Sequence, residues 1–220
     1  PCPPLDSPLF GIIQERTCHE PFWLIIATVF LNKTTGRQAA PTFWKIREKW
    51  NTPAQLAEAD YDELFHMIKH LGFQHQRTKR LKLLAAAWEK DPPRKGRRFR
   101  TLHYPSKGDG KHFKSGQVIE GDVEDCAGAL EIAHLPGCGA YAYDSWRIFC
   151  RDVLRGVEGE GEGKGEVFSF EPEWKRVLPQ DKELRACLRW MWLKEGWIWD
   201  PVTGAKRRAT PEEIEKANKG

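Results

Sequence analysis

No Cys-x-x-Cys pair occurs among the six cysteines, Cys2, Cys18, Cys126, Cys138, Cys150 and Cys187. Their scatter excludes the ligand spacings of a zinc ribbon or an iron–sulfur cluster. Several lie in apolar surroundings, so they read as small, reduced core residues of an intracellular protein. Long apolar runs are lacking as well: the longest, Phe22–Leu31, is too short to cross a bilayer, and mean hydropathy is -0.62. The start, Pro1–Pro8, has neither a basic n-region nor an apolar h-region, so no secretory signal is expected there. Clean apolar/polar alternation is also missing, which argues against a strand-built fold. Nor is there a large excess of one charge, with 35 Lys and Arg against 31 Asp and Glu for a net +4.

What charge there is lies unevenly. Between Asp91 and Lys114 stand Arg94, Lys95, Arg97, Arg98, Arg100, Lys107, Lys111 and Lys114, opposed only by Asp91 and Asp109. On charge alone this is a solvated loop. It also has the composition to neutralise phosphates and supply sequence-independent affinity for nucleic acid.

The remaining pattern is helical. Pro21 opens an almost wholly apolar segment through Leu31, which belongs at the centre of a core. A second helix is expected from Gly36 to about Lys49. Thr52-Pro53 has the form of an N-cap followed by a first-turn proline. Asp60 and Glu63 form a capping box for a helix ending at Leu71, stopped by Gly72. Another helix is expected over Gln74–Trp88, and further ones over Glu124–Ala133, Ala140–Val153 and Asp181–Lys194. Two segments, 91–122 and the Gly/Glu tract 156–166, read as flexible insertions with little capacity to bury surface. The expectation is an all-α fold of two helical lobes with a cleft between them. It occupies residues 1–200 as a single domain, followed by a polar, peripheral tail at 201–220. Gly36–Ala133 would supply most of one lobe, and the N-terminal run with the last helix the other.

Two places carry chemistry. Leu135-Pro136-Gly137-Cys138-Gly139 lies between helix-like segments. Its glycines can adopt positive φ and let the backbone approach another group closely. The helix that follows presents free N–H groups suited to a phosphate. An ordinary glycine-capped corner is an equally good reading of these five residues alone. Asp181 precedes a helix with Leu184, Leu188 and Trp192 on its apolar positions, so it is an N-cap. A helix N-terminus also favours an ionised carboxylate, which is what stabilising a cationic sugar requires. The residues alone leave both roles open.

The chain resembles the helix-hairpin-helix DNA glycosylase superfamily, which includes endonuclease III and the adenine mismatch glycosylases. Within it the resemblance points to glycosylase domains of the methyl-CpG-binding domain protein four type. It is carried by Leu9–Glu15, Ile26–Gly36, Ile68–Phe73, the hairpin, Tyr143–Cys150 and Pro179–Asp181, in that order, over roughly residues 8–195. The resemblance implies that Asp181 is the essential aspartate. It implies that Tyr141 stands where bifunctional members carry a Schiff-base lysine, so that the enzyme is monofunctional and uses water. Gln14 matches a residue that reads the extruded base. Lys33 and Leu71 match residues that fill the gap in the duplex and probe the opposite guanine, with Gly137 and Gly139 at the DNA backbone.

The resemblance further implies a K⁺ or Na⁺ on the carbonyls of Leu135, Gly137 and Gly139, and no required cofactor or iron–sulfur cluster. It implies a monomer acting in the nucleus, with no membrane role, on double-stranded DNA carrying G·T or G·U mismatches. Thymine, uracil or related 5-substituted uracils would be released to initiate base excision repair. Such mismatched pairs cost less to open, which favours flipping of their bases. Glu183 departs from the family pattern, which has a basic residue there, and this bears on base preference. Asp144, near the hairpin, reads as structural. The rival readings are an AP lyase using Lys182 as its amine, a non-catalytic hairpin module, and adenine removal, which the missing cluster cysteines disfavour.

Overall fold

The computed structural model describes residues 2–157 and 171–219. Helix α2 (Pro21–Leu31) begins with Pro21 in its first turn and buries every residue from Phe22 to Leu31. It has no polar face to give to water and is surrounded by other elements. Around it pack α1 (Ile13–Thr17), α3 (Gly36–Lys49), α6 (Gln74–Lys90) and α7 (Ala140–Phe149). Helix α3 turns Ala39, Thr42, Phe43 and Ile46 inward, the spacing of one helical face.

Local signals set the helix starts. The Thr52 hydroxyl accepts the Gln55 amide at the head of α4 (Pro53–Glu58), and the Asp60 carboxylate accepts the Glu63 amide at the head of α5 (Tyr61–Ile68). A 3-10 turn over Lys69–Leu71 follows, and Gly72 at φ 76° ends it. α8 (Arg151–Arg155), α9 (Lys182–Lys194) and α10 (Pro211–Lys219) complete the α-helices among the described residues, and a second 3-10 turn spans Glu173–Arg176.

Two apolar cores result. The larger is centred on α2 and includes Phe43, Leu64, Leu81, Tyr143 and Trp146. The smaller gathers Ile148, Val177, Leu184, Leu188, Trp192 and Trp199. Tyr141 and Phe149 of α7 pack against both cores, so the helix after the hairpin is the partition between two helical lobes.

Two expectations fail in the 91–133 region. The segment 91–122 was expected to bury little surface. Instead β1 (Arg97–Arg100) pairs antiparallel with β2 (Val118–Glu120) on one side and with β3 (Ala129–Leu130) on the other, and Arg98, Thr101 and Tyr104 are buried. The helix expected at Glu124–Ala133 is replaced by β3 and a following turn. Gly110 and Gly128, both at positive φ, bring two backbones so close that a Cβ on either would collide with main chain, and a helix cannot pass there.

The basic stripe also differs from both of its readings. Arg97 pairs with Asp91, Arg98 donates to the Asp125 carbonyl over 3.2 Å, Arg100 donates to the Phe113 carbonyl over 3.0 Å, and Lys95 to the Arg155 carbonyl over 2.6 Å. Half the stripe's cations thus hold the insertion together.

Of the Gly/Glu tract, residues 158–166 lie outside the described residues. The tail is more regular than expected: β5 (Lys206–Arg208) pairs with β4 (Trp197–Trp199), and α10 follows.

Candidate active site

Asp181 caps α9, and one carboxylate oxygen, Oδ1, accepts the amides of Glu183 (2.8 Å) and Leu184 (3.0 Å). Oδ2 takes part in no hydrogen bond among the described residues. The side chain lines a cavity of about 260 Å³ with Tyr141, Lys33, Thr35, Gln38 and Glu183. A second hollow of about 700 Å³ shares Leu31, Thr35, Lys182 and Glu183 with it and extends to Gln14 and Phe10. The structure therefore brings Asp181, Tyr141, Gln14 and Lys33 to one composite cleft between the lobes.

Gln14 is 2% exposed, and its Nε2 donates to the Tyr141 hydroxyl over 2.9 Å. Its Oε1 is buried and has no hydrogen-bond partner among the described residues, so an unsatisfied acceptor lies at the wall of the cleft. Burial, and after it the nearby Asp181 charge, pushes the Tyr141 hydroxyl above its ordinary pKa, so it carries its proton at neutral pH. Burial followed by the Asp181 charge also raises Glu183. The backbone at Gly36, in the first turn of α3, partly offsets that rise, and α3 has no side-chain cap from its own Thr35.

In the hairpin, Gly137 adopts φ 84° as expected, and the Arg80 side chain lies across it, leaving no room for a Cβ. Gly139 is extended at φ −146°, so it needs no left-handed freedom. Its outer face is open, however, with nothing within 4 Å of where a Cβ would stand. Carbonyl oxygens are the ligands a hard monovalent cation takes. Those of Leu135 and Gly139 already accept the amides of Cys138 and Tyr143, which leaves one lone pair on each for an ion.

The loop expected to carry the wedge presents a different side chain. Leu71 is half-buried against the larger core. Phe73 is 54% exposed and held at φ 50°, an unfavourable backbone for a bulky residue. Lys33, also at positive φ, places its ammonium 5.4 Å from the Phe73 ring centroid.

What holds this pair is a residue that sequence reasoning passed over. Buried Arg77 donates from Nη1 to the carbonyls of Leu71 (2.6 Å) and Gly72 (2.8 Å), and from Nη2 to the carbonyl of Asn32 (2.7 Å) and the Thr34 hydroxyl. It thereby ties the two loops together. Burial lowers its pKa. Its only sequence signal was an arginine on the inward face of a helix.

Residues 26–196 match the profile of the family described as HhH-GPD superfamily base excision DNA repair protein. Over 70 residues the chain is 36% identical to a thymine-DNA glycosylase of Aeropyrum pernix, covering 32% of this chain and 31% of that protein. It is 31% identical over 70 residues to a thymine/uracil-DNA glycosylase of Pyrobaculum aerophilum, covering 32% and 30%. The matched stretch thus spans about a third of the length of these curated relatives.

Proposed function

This chain belongs to the HhH-GPD superfamily of base excision DNA repair proteins, and from that premise we propose that it is a monofunctional DNA glycosylase releasing thymine or uracil paired with guanine. The observation that carries the reading is the tyrosine two residues after Gly139. Tyr141 offers no amine for a Schiff base, and it is bonded to Gln14 in the cleft that Asp181 lines.

In this reading the target nucleotide is flipped into the cleft, where the C1′–N1 bond breaks and the base leaves with the bonding pair. The ionised Asp181 stabilises the positive charge that develops on the sugar. A water oxygen attacks C1′; its proton passes by way of the Asp181 carboxylate to solvent, and the departing base takes up a proton. The unpartnered Oε1 of Gln14 accepts the N3–H that both uracil and thymine present. Phe73, rather than Leu71, is the apolar wedge that takes the flipped nucleotide's place in the stack, with Lys33 beside it. The amides at the start of α7 and the open face of Gly139 receive a backbone phosphate, with any monovalent cation held on the neighbouring carbonyls.

The names of the two relatives support the choice of base. The test is a panel of duplexes carrying G·T, G·U, A·U and A·8-oxoguanine, assayed at enzyme excess for base release and separately for nicking. Release from G·T and G·U without nicking is expected. If no duplex loses a base, the reading fails. Lys182 lines the same cleft and favours a lyase as the second reading; borohydride trapping of an enzyme–DNA adduct would support it over hydrolysis.

A further inference from the structure

Two of the three non-glycine residues at positive φ among the described residues, Lys33 and Phe73, sit on separate loops, one after α2 and one before α6. Such a backbone is costly for a bulky side chain and persists only where its surroundings enforce it. Phe73 precedes the first turn of α6, where an extended residue is usual, yet it is left-handed with ψ 28°. One side chain spans both places. The Arg77 guanidinium donates from Nη1 to the carbonyls of Leu71 (2.6 Å) and Gly72 (2.8 Å), and from Nη2 to the Asn32 carbonyl (2.7 Å) and the Thr34 hydroxyl. Its backbone amide donates to the Phe73 carbonyl over 2.9 Å. Each strained residue therefore lies next to backbone that Arg77 holds.

We infer that Arg77 is a positioning residue that locks the loops bearing Lys33 and Phe73 into one preformed wedge, so that opening the base pair, rather than cleaving the glycosidic bond, is the step that depends on it. The inference rests on the glycosylase reading for its functional content, and within that reading on Phe73 as the wedge.

The chemistry of the brace separates it from ordinary packing. Arg77 is 5% exposed, and all four acceptors of its guanidinium are neutral oxygens. Burying a cation without a counter-ion is expensive, and an apolar side chain of the same length would fill the space alone. What the guanidinium adds is a rigid fork that reaches both loops at once. Lys33 extends its effect, since it lines both the hollow of about 90 Å³ beside Phe73 and the cavity that Asp181 lines. A wedge already held in shape spends less of its binding energy on ordering itself when it enters the duplex.

The test compares wild type, Arg77→Met and Arg77→Lys in single-turnover release of uracil from two duplexes, with thermal melting measured alongside. Uracil faces guanine in one duplex and an abasic site in the other, where there is no base pair to open. Arg77→Met fills the space without a donor. It should slow release opposite guanine by about tenfold or more, and release opposite the abasic site by no more than about twofold. Arg77→Lys keeps the charge but not the fork, so it should show the same selective loss in smaller measure; it carries the comparison if Arg77→Met does not fold. Combined with Phe73→Ala, either variant should be no slower opposite guanine than the slower of its two single variants. Wild-type rates on both duplexes, equal losses on both, or a loss that multiplies with that of Phe73→Ala overturn the inference. A second readout needs no base release. Fluorescence of 2-aminopurine beside the mismatch should rise when wild type binds and stay low with saturating Arg77→Met. If wild type releases uracil from neither duplex, it is the glycosylase reading that fails; an equal rise with wild type and Arg77→Met overturns the role of Arg77 by itself.

Discussion

Gln14 and Tyr141, 127 residues apart in sequence, meet through a 2.9 Å hydrogen bond in which the amide Nε2 donates to the phenol oxygen. That single bond determines what each presents to the cleft. With Nε2 committed, Gln14 keeps Oε1 as a buried acceptor without a partner among the described residues, while the Tyr141 proton is left free to donate into the cavity that Asp181 lines. Since α1 bears Gln14 and α7 bears Tyr141, the proposed base-reading acceptor and the proposed sugar-facing hydroxyl are set relative to each other by the fold itself. This is preorganisation by a neutral pair, set beside the proposed catalytic carboxylate of Asp181 at the head of α9.

Asp181 serves both as a helix cap and as the proposed catalytic carboxylate, and two substitutions separate these roles. Asparagine caps a helix about as well as aspartate, so Asp181→Asn should change stability by no more than about 0.5 kcal/mol. Having no charge, it should lower excision by about 10²- to 10³-fold or more, with duplex affinity retained. Asp181→Ala should lose both, adding a stability cost of about 1 kcal/mol. Melting curves and single-turnover rates measured on the same samples decide the matter. An active Asp181→Asn enzyme would return Asp181 to a purely structural role.

Phe73 and Leu71 differ in what they support. Leu71→Ala removes a half-buried contact with the larger core and should cost about 1–2 kcal/mol of stability. Phe73→Ala removes an exposed ring whose intramolecular partner is Lys33, so its stability cost should stay below about 1 kcal/mol. Excision should rank the other way. Losing the wedge should slow Phe73→Ala by at least about tenfold, which is roughly 1.4 kcal/mol of the few that flipping demands. Fluorescence of 2-aminopurine beside the mismatch would report the lost flipping directly. If Leu71→Ala were the variant deficient in flipping at unchanged stability, the assignment would reverse.

The helices were legible because their evidence is local. Thr52 and Asp60 sit three residues from the amides they cap, Pro21 stands in the first turn it opens, the apolar run of α2 is continuous, and the apolar period of α3 and α9 is written in consecutive turns. Asp181 was legible for the same reason, as an N-cap before Leu184 and Leu188. What sequence reasoning missed depends on distant partners. Leu130 becomes a strand residue only by pairing with Phe99, and Gly128 matters because Gly110 lies against it. The Tyr104 hydroxyl finds its acceptor in Asp144, 40 residues on, and Arg77 finds its own in Asn32 and Thr34. In Leu71-Gly72-Phe73 both flanking residues are apolar. Which of them faces solvent is decided by the turn at Gly72 and the Arg77 clamp, and neither is visible in periodicity.

The hairpin offers a test in which a glycine and an arginine act together. A Cβ on Gly137 would lie 2.7 Å from both Cδ and Nε of Arg80, and the residue would still be held at φ 84°. Gly137→Ala therefore combines a backbone penalty of about 1–2 kcal/mol with displacement of Arg80. Arg80 lines both the hollow beside Gly139 and the one beside Phe73, between the proposed phosphate site and the wedge. Displacing it should remove one phosphate contact. In a salt titration of duplex binding, Arg80→Ala should lower the slope of log affinity against log salt by about 0.9, with little change in stability. Gly137→Ala should show the same reduced slope and also melt earlier. The double variant should have no lower slope than either single one, because the second substitution removes a contact already lost. Additive slopes would mean that Gly137 and Arg80 reach different phosphates, and that the close packing between them has no part in holding DNA.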